Sequence, residues 1–298
     1  KDDGRGFYDR FRNRIMFPIT DHLGRVVGFG GRSITGSEPK YINSPESPVY
    51  NKSRILYGLY QARESMRREG FAIIVEGYFD QMALYRAGFT NAVATCGTAL
   101  TSEHGKLLKR YADKVLLLFD QDKAGMSATF RSMEVLLPAG LSVAVVTLGE
   151  GEDPDSFLVS HGKDEMAERL EAARPVLDYF SDVTLEQHGE GAEGKARAVE
   201  QIIEKFGLLK SDIERDLYLK ALAERTGLNE ATLRGKLRNA PAQRQSPPPP
   251  RPSPPLSPAR NQRDDRQGDV TEKAQRNLLR LLLLPEAEYR RRVREGDV

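Results

Sequence analysis

The chain has 298 residues, 39% hydrophobic and 30% charged, with 45 Lys and Arg against 43 Asp and Glu. That length admits one large domain or two ordinary ones, and no apolar run reaches the roughly 18 residues of a membrane span, so no membrane partner is expected. The single cysteine, Cys96, excludes a disulfide framework and a Cys-rich zinc site, and reads as a small core residue. Lys1-Asp2-Asp3-Gly4 is not a signal peptide, so a cytoplasmic location is the default. With no initiating methionine, a piece of a longer protein is expected.

Residues 1–60 carry ten Lys and Arg against six Asp and Glu, whereas residues 71–160 carry seven against eleven. A basic region before an acidic one can hold a polyanion on one side and divalent cations on the other, although uneven solvated faces would give the same count. In the basic region, Ile15–Ile19 and Val26–Phe29 flank the turn-forming Asp21-His22-Leu23-Gly24, which predicts a β-hairpin. Gly28, Gly30 and Gly31 follow, where backbone could approach a phosphate closely, and then a Ser-, Gly-, Pro- and Asn-rich loop. Arg10, Arg12, Arg14, Arg32, Lys40 and Lys52 alternate with Phe11, Phe17, Tyr41 and Tyr50. Such a mixture suits single-stranded nucleic acid and nucleotides, or a plain solvated face.

Beyond residue 70, Phe71–Val75, Ala92–Thr95, Val115–Phe119 and Val143–Val146 are continuous apolar runs, as in strands buried on both faces. Helical patterns over 80–87, 102–111 and 124–137 separate them, and Thr101 reads as a helix N-cap. The alternation predicts a mostly parallel α/β sheet flanked by helices. From about 163 to 238 the spacing is helical, predicting a small bundle. Residues 240–268 hold nine of the seventeen prolines and read as a disordered linker. Residues 271–284 resume a helical pattern, read as the start of a further domain that is cut short.

Acidic residues gather after the apolar runs. Glu76 follows the first, Asp120 and Asp122 the third, and Asp153 and Asp155 the fourth, with Asp80 just beyond Glu76. Ligands of an open parallel sheet collect at the carboxyl ends of its strands, so these carboxylates would face one crevice. Their repulsion calls for cations, and oxygen-only ligands favour Mg²⁺ or Mn²⁺. Each piece also has a plainer reading: a helix cap for Asp120-Gln121-Asp122 and for Asp80, and turns for Glu76 and for Asp153-Pro154-Asp155. The four histidines show no ligand spacing. Residues 222–229 resemble the turn of a helix-turn-helix, a common bundle connection.

Glu76-Gly77-Tyr78-Phe79-Asp80 followed by Asp120-Gln121-Asp122-Lys123-Ala124-Gly125 resembles the Toprim motif, a glutamate plus Asp-x-Asp shared by primases, topoisomerases and some nucleases. Gly151–Asp155, Phe29–Arg32, Pro39–Glu46, Asn51-Lys52 and Leu56–Tyr60 look like the RNA polymerase core of bacterial DnaG-type primases. The resemblance is colinear over roughly residues 5–238. It implies a Toprim-type fold, preceded by a partial basic β-rich subdomain and followed by a helical bundle. The boundaries are then 1–68, 69–160 and 161–239, the linker 240–268, and the truncated start of a helicase-binding domain at 269–298.

The resemblance also implies DNA-templated synthesis of RNA primers by nucleotidyl transfer during replication, in the replisome. Glu76, Asp120 and Asp122 would be catalytic and hold Mg²⁺ or Mn²⁺, with Asp80, Asp153 and Asp155 as further acidic positions. Arg32, Lys40, Asn43 and Lys52, and with them Arg10 and Arg12, would contact nucleotide or template. The partners implied are NTPs, a single-stranded DNA template and a replicative helicase. Zinc is expected only in the family's N-terminal module, outside this chain. Another Toprim enzyme, a topoisomerase or nuclease, and a non-catalytic DNA-binding scaffold are the alternatives.

Overall fold

The computed structural model describes residues 9–36, 38–149, 151–189 and 191–239. The linker and the C-terminal segment read at 240–268 and 269–298 lie outside these residues. An antiparallel sheet opens the fold: β1 (Arg14–Thr20), β2 (Val26–Ser33) and β3 (Tyr41–Asn43) pair in chain order. The hairpin is as expected, but β3 falls where the sequence reads as loop. Three residues are too few for a period-two alternation to show, and pairing with Gly30–Arg32 defines the strand.

A 3₁₀ turn (Lys52–Arg54) and α1 (Leu59–Glu69) lead into the second sheet. There follow β4 (Phe71–Val75), α2 (Tyr78–Ala87), β5 (Ala92–Ala94), α3 (Ser102–Leu108), β6 (Lys114–Leu117), α4 (Lys123–Leu136) and β7 (Ser142–Val145). Strand order is β5-β4-β6-β7 with every pairing parallel. A two-residue strand, β8 (Arg174–Pro175), pairs antiparallel on the outer edge, where a proline's missing N–H costs nothing. The short edge pair has no pattern a sequence reading could detect.

The apolar runs divide by strand pleat between two cores. Ala72, Ile74, Val115, Leu117, Val143 and Val145 face one side, and Ile73, Val75, Leu116, Leu118, Ala144 and Val146 the other. Onto the first face pack α3, α4 and the helices α6 (Val176–His188), α7 (Ala192–Phe206) and α8 (Asp212–Thr226). The last, α9 (Glu230–Asn239), follows a left-handed turn at Gly227 and adds Leu233. Onto the second face pack α2 and α5 (Pro154–Glu171), through Leu84, Phe157, Met166 and Leu170. The boundary read at 160/161 therefore falls inside α5, beside the kink at Gly162, and α5 packs with the sheet.

A third cluster, with Phe17, Ile19, Tyr50, Tyr78 and Cys96, seals the antiparallel sheet onto the parallel one. It overturns the reading of the glycines as a phosphate approach. A Cβ at Gly30 would stand 2.6 Å from the Tyr78 ring, and those at Gly28 and Gly31 would press on Tyr50 and Phe11. These positions lack side chains because aromatic rings occupy the space. Among the described residues no helix is long and apolar enough to cross a membrane.

Candidate metal and nucleotide site

The chain leaves β4 for β5 on one side and then returns past β4 to β6 on the other. Such a reversal opens a crevice at the carboxyl ends of the two strands, because their following helices lie on opposite faces. Glu76 directly follows β4, and Asp120 and Asp122 follow β6. Asp153 and Asp155 lie beyond β7, the next strand over.

The local chemistry that holds these acids is helix capping. Asp122 is the N-cap of α4, and its Oδ1 accepts the Gly125 N–H at 2.7 Å. Asp153 is the N-cap of α5, and its Oδ1 accepts the Ser156 N–H at 2.7 Å. Asp80, in the first turn of α2, accepts the Gly77 N–H at 3.2 Å. The capping reading of Asp122 and Asp80 therefore holds, Asp153 caps α5 where the sequence reads only as a turn, and none of these caps competes with the metal reading. Each cap uses one carboxylate oxygen, fixes the side chain and leaves the other oxygen for a cation. Gly125 completes the arrangement: a Cβ there would lie 2.1 Å from the Asp120 carbonyl oxygen, so only glycine lets α4 start against the backbone of Asp120.

The acids feel one another. Glu76 is pushed above the usual carboxylate range by burial first and then by the charges of Asp120 and Asp122, against a pull from Arg131. Asp80 is pushed up to about 7, by burial and then by Asp153 and Asp120. Asp120 is raised by burial, Asp122 and Asp153, and so links the two groups. Four carboxylates, Glu76, Asp80, Asp122 and Asp153, thus sit within electrostatic reach of Asp120, and Asp155 adds to the charge at Asp80. Among the described residues, no three His, Cys, Asp or Glu side chains are gathered tightly enough to hold an ion by themselves. That arrangement still fits Mg²⁺ or Mn²⁺: Mg²⁺ takes one or two carboxylates, keeps several waters, and draws its remaining ligands from substrate phosphates.

The basic sheet stands at the Asp80 side. Tyr41 on β3 is raised by burial, while Arg32 pulls it down and Asp80 and Asp155 push it up. The Arg32 guanidinium lies over the Phe79 ring at 4.2 Å, beside Asp80, and Lys40 is exposed with its Nζ 5.9 Å from the Tyr41 ring. Arg32 and Lys40 therefore gather at Tyr41, the ring that also feels Asp80 and Asp155. Asn43 is engaged elsewhere. Its Nδ2 donates to the Cys96 carbonyl at 2.8 Å, and its Oδ1 accepts the Tyr78 hydroxyl at 2.9 Å, so it braces the two sheets. Lys52 lies by Cys96, whose thiol is raised by burial and lowered in part by Lys52. Arg10 and Arg12 are exposed in the approach to β1.

No histidine joins the acids among the described residues. His104 is buried in the α3 cap, where Thr101 accepts its N–H, and its ring meets the Lys52 and Ile55 carbonyls. Sequence reasoning missed Phe79, Tyr78 and Arg131. The two aromatics lie inside the acidic motif, between Glu76 and Asp80, which was the available signal. Arg131 carried none, since it is one cation on an amphipathic helix.

Comparison with known proteins follows the same division. Residues 1–63 match the family described as DNA primase catalytic core, N-terminal domain, and residues 73–158 match a Toprim-like family. Residues 177–231 match the DnaB-helicase binding domain of primase, which places that description on α6 to α8 and the start of α9, well before residue 269. A DNA primase of Halalkalibacterium halodurans is 42% identical over 228 residues, covering 74% of this chain and 37% of that protein. The chain thus spans little more than a third of the curated relatives it matches. A DNA primase domain from Pseudomonas aeruginosa has 40% identity and a TM-score of 0.73, covering 80% of this chain and 76% of that one. A DnaG primase catalytic domain bound to ssDNA has 35% identity and a TM-score of 0.70, covering 76% of this chain and 73% of that one.

Proposed function

Because the chain belongs to the DnaG-type DNA primases, we propose that it is the nucleotidyl-transfer part of an enzyme that makes RNA primers on a single-stranded DNA template. The single observation that carries this reading is the set of capped, mutually repelling carboxylates at the switch between β4 and β6, with Arg32 and Lys40 gathered at the neighbouring Tyr41.

In this reading Glu76, Asp120 and Asp122 hold Mg²⁺ or Mn²⁺, and Asp80, Asp153 and Asp155 serve the adjoining position. A bound divalent ion supplies charge neutralisation at the phosphates and acidifies the attacking hydroxyl. The chain's own residues do the placing. The N-caps of α4 and α5 fix Asp122 and Asp153 before substrate arrives, so little reorganisation is needed at reaction. Arg32, lying over the Phe79 ring, offers its guanidinium to an NTP phosphate, and Lys40 adds a further charge for NTP or template. The 3′-oxygen of one nucleotide then bonds to the α-phosphorus of the next. The bond from that phosphorus to the β-phosphate oxygen breaks, pyrophosphate departs, and the hydroxyl proton goes to solvent. Arg10, Arg12 and Lys52 are placed as outlying template contacts, and Asn43 as a brace. The bundle from α6 to α8 is proposed as the helicase-facing part, at the replisome in the cytoplasm.

Incubation of the chain with NTPs, Mg²⁺ and a single-stranded template tests the reading. Short RNA products that disappear in Asp120→Ala, with the fold retained, are expected. A nicked plasmid would point to another Toprim chemistry. Products undiminished in Asp120→Ala would refute the role of the acids.

A further inference from the structure

The acidic group has a second side. Glu76 opens into a cleft of about 270 Å³ with Thr98, Leu100, Phe119, Ala128 and Arg131 on its walls. That is just under the roughly 300–1,000 Å³ of ligand pockets, so an open cleft of this size takes at most one nucleotide, part of it in solvent. Arg131 is exposed, spends one N–H on Ser127 Oγ at 2.8 Å, and has no salt bridge among the described residues. It is close enough to Glu76 to oppose the rise of that carboxyl. Leu100, Phe119 and Ala128 give the cleft an apolar wall.

Transfer between two nucleotides needs both of them at one acidic centre. Arg32 and Lys40 lie at Tyr41, which also feels Asp80 and Asp155, on the side where the incoming triphosphate is placed above. The other nucleotide, whose hydroxyl attacks, then needs a cation and an apolar surface on the Glu76 side. The cleft is where the chain puts both.

We propose that this cleft is a second nucleotide subsite that takes the 3′-terminal nucleotide of the growing RNA strand. Its phosphate meets Arg131, its base lies along Leu100 and Ala128, and its 3′-hydroxyl faces Glu76. The proposal rests on the polymerase reading, and its test is a binding measurement so that the two stand or fall separately.

The probe is the radiolabelled RNA dinucleotide pGpG, measured by equilibrium dialysis against the full chain with Mg²⁺. Loss of a charge-assisted hydrogen bond predicts that Arg131→Ala weakens binding by about tenfold or more, with Arg131→Lys in between. Ala128→Met fills the cleft at unchanged charge and weakens binding to a similar extent. Arg67→Ala, a surface cation on α1, changes it by less than about twofold, the size of a surface effect. ATP binding to Arg131→Ala stays within about twofold of the parent, since its site is on the other side. A dinucleotide that does not bind the parent, or binds Arg131→Ala equally well, or an ATP affinity that falls in step, would overturn the subsite. Binding through Arg131 without any RNA synthesis would support the subsite and count against the polymerase reading instead.

Discussion

Asp80→Asn removes a charge that the folded chain carries at a cost. Burial and the neighbouring Asp153 and Asp120 push this carboxyl up to about 7 from 3.8. A rise of about 3 units corresponds to ~4 kcal/mol at 1.36 kcal/mol per unit. Between about pH 4 and pH 7 the folded chain retains a proton that the unfolded chain has released. Folding stability therefore falls as pH rises through that window, and the whole cost is in place above it. Asparagine keeps an oxygen for the Gly77 N–H while removing the charge. With EDTA present, Asp80→Asn is expected to be more stable than the parent at about pH 9 by up to ~4 kcal/mol, a midpoint rise on the order of 10 °C. At about pH 3, below both titrations, the two proteins should unfold together. Urea and thermal denaturation followed by circular dichroism across this range are the assay. An asparagine variant no more stable than the parent at high pH, or equally advantaged at low pH, would refute the argument that the acids hold one another in strained ionisation.

Two further substitutions test how the site is held. Gly125→Ala should displace Asp120, whose carbonyl oxygen would lie 2.1 Å from the new Cβ. Loss of Mn²⁺ binding by calorimetry, with helix content retained and stability lowered by roughly 1–3 kcal/mol, is expected; unchanged Mn²⁺ binding would show that the start of α4 does not govern the site. Asn43→Leu leaves the Tyr78 hydroxyl and the Cys96 carbonyl without their amide partner. It should cost about 1–3 kcal/mol of stability, read by thermal denaturation. If it lowered NTP affinity at unchanged stability, Asn43 would be a nucleotide contact and not a brace.

The parallel sheet was legible because its strands are buried on both faces, which forces continuous apolar runs such as Ile73-Ile74-Val75. The acids were legible because strand ends in such a sheet are where chemistry collects. What escaped was whatever depends on a partner distant in sequence. Tyr41–Asn43 becomes a strand only by pairing with β2, and Arg174-Pro175 only by pairing with β7. Gly30 looked like a phosphate loop because its residue type shows only that space is needed, not that Tyr78 fills it. Asn43 and Arg131 are equally mute in sequence. One amide spans 35 residues to reach Tyr78, and the other side chain gains its meaning from Glu76 across the cleft. For Asp122 the cap and the ligand are compatible readings, since a capping carboxylate has a second oxygen.

The most direct test of the account is the location of Mn²⁺ by anomalous diffraction from crystals of this chain soaked in the metal. Peaks at about 2.0–2.3 Å from carboxylate oxygens of Glu76, Asp120 or Asp122, between the ends of β4 and β6, are predicted. Peaks only at other carboxylates, or none at metal concentrations that support RNA synthesis, would contradict it.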